Sequence, residues 1–154
     1  MAGCVAGAVL LTGCAAVDLP LAAVLKGADG EPEVLLRPCG DDSYRGPSLE
    51  DRADGGRANG GTTGWQAKGQ RSGDARFPLF SPPAAWSPRH RGVQRLLPLH
   101  TYTLSFGHYV TGDSYNGVVT FAAEDVAALR AGQVWADDRA MSLGEFEELA
   151  EDSC

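Results

Sequence analysis

Thr101-Tyr102-Thr103-Leu104-Ser105-Phe106 alternates strictly between polar and apolar side chains. A β-strand turns successive side chains to opposite faces, so Tyr102, Leu104 and Phe106 share one face and Thr101, Thr103 and Ser105 the other. That pattern suits a sheet with one packed side and one solvated side. Residues 115–121 supply a partner strand, with Gly117, Val119 and Phe121 on one face and a bulge expected at Gly117. Residues 21–25 and 34–36 flank Asp29-Gly30, the dipeptide of a tight hairpin turn, and Pro38 ends the second strand because it has no N–H for the ladder.

Elsewhere the pattern is less regular. It fades from Gly40 to Arg76, where Asp54-Gly55-Gly56-Arg57-Ala58-Asn59-Gly60-Gly61 is expected to be a loosely ordered loop. Thr62-Thr63-Gly64-Trp65-Gln66-Ala67 is expected to be a strand with Trp65 in the core. Arg76-Phe77-Pro78-Leu79-Phe80 reads as a short edge strand and Pro82-Pro83-Ala84-Ala85-Trp86 as an extended loop. Glu124 and Asp125 ahead of Val126 and Leu129, with Gly132 beyond, mark a short helix. Gln133-Val134-Trp135 is a brief strand and Asp137-Asp138-Arg139 its turn. Ser142-Leu143-Gly144-Glu145 is a capping box that opens a helix over 143–151, with Met141 and Phe146 as its hydrophobic staple. Leu143, Phe146, Leu149 and Ala150 make the stripe that docks it.

Leu96, Pro98, Tyr102 and Leu104 resemble, over about ten residues, the tyrosine corner that enters strand F of fibronectin type III and immunoglobulin-like domains. The resemblance implies a hydroxyl bonded back to the upstream backbone. The expected fold is therefore mainly β, an immunoglobulin/fibronectin-like sandwich with a short helix and a C-terminal helix.

At the other end, Val5-Ala6-Gly7-Ala8-Val9-Leu10-Leu11 is small and apolar, and Leu11-Thr12-Gly13-Cys14 resembles the lipobox of a bacterial lipoprotein. The front of this leader, Met1-Ala2-Gly3-Cys4, departs from the pattern in having no Lys or Arg. With the ending Met141-Ser142-x-x-x-Phe146 through Glu151-Asp152-Ser153-Cys154, the chain resembles the small lipoproteins of high-GC actinobacteria, a group that carries no activity over. The resemblance implies a signal peptide over 1–13, a diacylglyceryl and palmitate-type anchor on Cys14, a short tether over 14–20 and one extracytoplasmic domain over 21–154. It leaves Cys39 and Cys154 in a compartment that permits a disulfide. Closing so long a loop is worth roughly 4–5 kcal/mol in the chain-entropy model. Two free thiols are the alternative.

A net charge of −7 argues against nucleic-acid or phosphate binding, which needs a basic face. The glycine-rich run lacks the Gly-Lys-Ser/Thr ending of a phosphate cradle, and no serine stands in a Gly-x-Ser-x-Gly elbow. His100 and His108, on one unbroken strand, stand ~26 Å apart and cannot share a metal without a sharp bend, and all three histidines, His90 included, suit surface or strand-end positions. The acids 145–152 suit a solvated helix face, Asp113 a turn, and Arg89-His90-Arg91 with Arg95 a small basic island in a loop. No catalytic set, cofactor or metal is expected. The expected role is a membrane-anchored binding or accessory module that meets an envelope protein or polymer through Phe80 and Trp86, in the stretch 77–86. An envelope hydrolase whose active site assembles only in the fold is the alternative.

Overall fold

A computed structural model describes residues 16–53, 63–109 and 114–154. The lipobox with Cys14, the core of the glycine-rich run and Asp113 lie outside the described residues. In chain order the elements are β1 (Val17–Leu19), β2 (Ala22–Lys26), β3 (Pro32–Leu36), β4 (Ser43–Ala53), β5 (Gly64–Gln66), β6 (Gln70–Ser72), β7 (Ala75–Pro78), β8 (Arg89–Arg91), β9 (His100–Tyr109), β10 (Ser114–Ala122), α1 (Ala123–Ala128), β11 (Gln133–Ala136), β12 (Arg139–Ser142) and α2 (Leu143–Ser153). The larger sheet runs β1-β10-β9-β4-β5-β8, with β6 also paired to β4. The smaller runs β12-β11-β2-β3-β7. The two form a sandwich, as expected.

The alternating segment is the inner face of this sandwich. Tyr102, Leu104 and Phe106 are buried, and Val119 and Phe121 of β10 lie on the same side. β9 and β10 pair without a register shift, so Gly117 is not a bulge. It is a clearance: a Cβ there would fall inside the Phe106 ring. The Asp29-Gly30 hairpin forms as expected, with Val24 opposite Val34 and Gly30 at φ 87°. β7 is the edge strand that residues 76–80 suggest.

The main departure is β4, an eleven-residue strand at the centre of the larger sheet within the stretch where no pattern is visible. Pro47, Leu49 and Asp51 alternate inward, but Tyr44 is buried as well, five positions before Leu49. A regular strand would put those two on opposite faces. The register shifts between Arg45 and Ser48, around Gly46 at φ 58°, and this bulge turns Tyr44 back to the core. Periodicity is lost in the sequence because the strand carries one extra residue. Two smaller departures concern the ends. Val17–Leu19, expected as tether, is a strand that pairs in parallel with β10. Arg89–Arg91, expected in a loop, pairs with β5.

The C-terminal elements pack against the sandwich. Lys26 Nζ donates to the carbonyls of Ala127 (2.8 Å) and Leu129 (3.3 Å), capping the end of α1. Ser142 Oγ accepts from the Glu145 N–H (3.2 Å) while the Glu145 carboxylate accepts from the Ser142 N–H (2.7 Å), which is the expected capping box. Phe146 and Ala150 are buried beneath it. Cys39 and Cys154 are joined in a disulfide across 115 positions, with Cα atoms 5.5 Å apart.

Two measurements check this account. Reduction, or Cys39→Ser with Cys154→Ser, is expected to cost about 2–5 kcal/mol in urea unfolding; a double variant as stable as the oxidised protein would refute a structural role for the bond. The Ser142 bonds hold the Glu145 carboxyl below its ordinary value of 4.5. A lowered folded value means that this stabilisation is present above the unfolded value and lost as pH falls through the folded one. The stability gap between wild type and Glu145→Ala should therefore narrow on acidification below that range, and a gap that widens would contradict the cap.

Candidate binding end of the sandwich

Tyr102 organises one end of the molecule. Its hydroxyl accepts from the Leu97 N–H (2.7 Å) and lies 3.4 Å from the Arg95 carbonyl, to which it donates. This is the geometry that the tyrosine-corner resemblance implies. Burial pushes the phenol above its ordinary value, so it keeps the proton it donates. The corner also explains why the strand starts at His100 and not at Leu96: Leu99 turns at φ 61°, a region that leucine rarely occupies, and is 71 % exposed.

Besides Phe121, stacked at 5.6 Å, two rings pack on Tyr102 at this end. Phe80 meets it edge-on at 6.4 Å between centroids, and His100 stacks beside it at 6.4 Å. Phe80 is half-buried, and its remaining surface lines a shallow depression of about 580 Å³ together with Ser81, Pro82, Ala84, Pro88, His90 and Gln94. Gln94 braces this wall. Its amide donates to the carbonyls of Arg91 (2.6 Å), Gly92 (3.1 Å) and Gly64 (3.3 Å), and its oxygen faces His90 Nδ1 at 3.0 Å.

Trp86 has a different setting from Phe80. The loop that carries it contains a single 3₁₀ turn, Ala84–Trp86, rather than being extended throughout. The indole is half-buried, its ring edge-on to Phe77 at 5.0 Å, with the Arg71 guanidinium 4.6 Å from its centroid. Arg71 also donates to the carbonyls of Lys68 (2.6 Å) and Trp86 (3.2 Å). Phe77 in turn meets Trp65, whose indole N–H donates to the Leu79 carbonyl (2.7 Å). Of the two residues singled out in the sequence, Phe80 lines the depression and Trp86 braces the loop behind it.

Sequence reasoning missed one polar cluster. Asp51 and His100 are both placed inward at the end of β4 and β9, and Nδ1 of His100 lies 2.7 Å from the Asp51 carboxylate. That carboxylate is fully buried and also accepts from the Thr63 N–H (2.7 Å). The Thr63 hydroxyl is buried without a hydrogen-bond partner. The pairing joins two strands whose register, regular from Ser48 to Ala53, is set by the fold and not by any local spacing in the sequence. β9 runs unbroken from His100 to Tyr109, which keeps His100 and His108 at its opposite ends. Among the described residues no three His, Cys, Asp or Glu side chains converge as a metal site, and no helix is long and apolar enough to cross a membrane.

No known protein-family model, curated protein or solved structure matches the chain.

Tyr102→Phe removes the acceptor of a part-buried N–H and should cost about 1–3 kcal/mol. It should also speed hydrogen exchange at the Leu97 amide. Unchanged exchange there would show that the hydroxyl does not hold the corner.

Proposed function

We propose that the chain is an extracytoplasmic binding module of the cell envelope, anchored by lipid on Cys14, that meets an envelope protein or polymer through the depression beside Phe80. The observation that carries this reading is the half-buried Phe80, packed on Tyr102 and lining a shallow depression of about 580 Å³ at one end of the sandwich. Aromatic side chains held in that way are the usual anchors of an interface. One further observation supports the compartment. The Cys39–Cys154 bond is of the kind that persists under oxidising conditions. With β1 beginning at Val17, a lipid on Cys14 would hold the domain close to the bilayer.

A photo-crosslinking amino acid at position 80 in intact cells should capture one discrete partner, and the same probe at Val17 should not. Equal, diffuse labelling at both positions would defeat the binding reading. Cys14→Ala should move the protein from the membrane fraction to the soluble one; a variant that stays with the membrane would remove the lipid anchor.

The hydrolase alternative draws on Asp51 and His100, since a buried carboxylate on Nδ1 is the arrangement that orients a general base. Turnover of p-nitrophenyl esters that disappears in His100→Gln would support it, and equal rates in both proteins would end it.

A further inference from the structure

We infer that the Cys39–Cys154 bond is a redox latch: a dithiol reductant opens it at Cys154, and the last turn of α2 comes free while the sandwich stays folded. The inference is independent of the binding reading, since the depression beside Phe80 shares no lining residue with the place where this bond lies. Access comes first. Cys154 is exposed and lines a second depression of about 210 Å³, with Pro38, Gly40, Glu147 and Ala150 among its walls. Pro38 and Gly40 are the chain neighbours of Cys39, which is itself half-buried against the core. A thiol that enters this depression meets Cys154 before Cys39.

The two sides of the bond are also held unequally. On the sandwich side, the Cys39 N–H donates to the Tyr115 hydroxyl of β10 (3.1 Å), which in turn donates to the Asp42 carboxylate (3.1 Å). The Cys39 carbonyl accepts from the Asp42 N–H (3.0 Å). On the helix side, Ala150 is the last buried residue of α2. Glu147 meets Arg37 at 3.4 Å, and past it no hydrogen bond or ion pair joins the helix to the sandwich among the described residues. Ser153 Oγ donates to the Leu149 carbonyl and the Cys154 N–H to that of Glu151, both within the helix itself. The charges of that turn oppose it. Glu147 with Glu151 and Glu148 with Asp152 are like charges four positions apart. Glu151 and Asp152 stand at the negative end of the helix dipole, where the last turn has no basic residue. The covalent bond therefore holds a turn that its own side chains disfavour.

Opening follows ordinary thiol–disulfide exchange. One thiolate of the dithiol attacks Cys154 Sγ, a new S–S bond forms, and the electron pair of the broken bond leaves with Cys39 Sγ, which takes a proton. The second thiolate of the reductant then displaces Cys154, which takes a proton in turn. The reductant ends as its disulfide, and two electrons and two protons have passed to the protein.

The test uses the purified full chain and dithiothreitol under native conditions. Loss of the bond should be first order in dithiothreitol with no plateau; a rate that saturates at the unfolding rate would overturn direct access. Glutathione followed by acid quenching and peptide mapping should place the adduct on Cys154, and an adduct on Cys39 would overturn the stated direction. Hydrogen exchange of the reduced protein should be at least about tenfold faster at the amides of residues 152–154 and unchanged at Leu104 and Phe106. Faster exchange at all of these positions, or at none, would overturn the latch. Oxidised glutathione should restore both bond and protection, and failure to do so would overturn reversibility. Cys39→Ser with Cys154→Ser should show the same local exchange without reductant. Glu151→Lys with Asp152→Lys should slow exchange of the reduced last turn about threefold or more. No change there would overturn the electrostatic cause of release.

Discussion

Trp65 joins everything that matters at the candidate site. It belongs to the larger sheet, is fully buried, and donates its indole N–H to the carbonyl of Leu79, just beyond the last strand of the smaller sheet. Buried indole N–H groups need a partner, and here the partner fixes the start of the 80–86 loop. The residue before Trp65 must be glycine: Gly64 sits at φ 147°, and a Cβ there would run into the backbone carbonyl of Leu49. Substitution at Gly64 would push β5 off β4 and release the indole. From Trp65 the contacts pass to Phe77, then to Trp86, then to the guanidinium of Arg71. The loop is thus rigid on its inner side. Phe80 is free to present a face outward because Trp86 supplies the packing.

Trp135 does the corresponding work across the sandwich. It lies on β11 of the smaller sheet and donates to the Thr120 carbonyl of β10 at 2.8 Å. One tryptophan therefore bridges the sheets at each side, and the aromatic rings of Tyr102 and Phe121, stacked at 5.6 Å, fill the space between. With α2 docked through Phe146 and bonded at Cys154 to the chain after β3, neither sheet can slide without breaking a directional bond.

What was legible in the sequence follows from which rules stay local. Strict alternation over 101–106, Asp-Gly at 29–30 and the Ser142-Glu145 box each depend on neighbours a few positions away, and each forms as expected. The disulfide was legible only as what the lipobox resemblance implies, since that resemblance sets Cys4 and Cys14 apart from Cys39 and Cys154. β4 was not, because its bulge at Gly46 breaks the period on which recognition depends, and its middle carries Gly-Pro. Gly117 looked like a bulge because its true reason, the Phe106 ring across the strand pair, is non-local. The same holds for the site. Phe80 is an aromatic near prolines and so visible locally, whereas the strand over Arg89–Arg91 depends on pairing with β5, about 25 positions earlier in the chain, and has no local pattern. The Asp51–His100 pair joins residues 49 positions apart and has no sequence signature.

The two polar features of this end have opposite costs, which bears on why both persist. Arg89, Arg91 and Arg95, on and after β8, are exposed, so they cost the folded state little and gain little from it. Asp51 is buried, and its carboxylate must be matched by the Thr63 N–H and by His100 to be tolerated there. A valine or leucine at position 51 would fill the inner face of β4 more simply, as Leu49 does two positions earlier. What the carboxylate adds is direction: it ties the first residue of β9 and the residue that precedes Gly64 to the end of β4. Those are the strands that carry Tyr102 and Trp65. Holding their ends together keeps Phe80 seated on Tyr102 while the surrounding loops remain open to solvent. Geometric fixity, rather than net stability, is the role that a buried, fully bonded carboxylate serves best in this position.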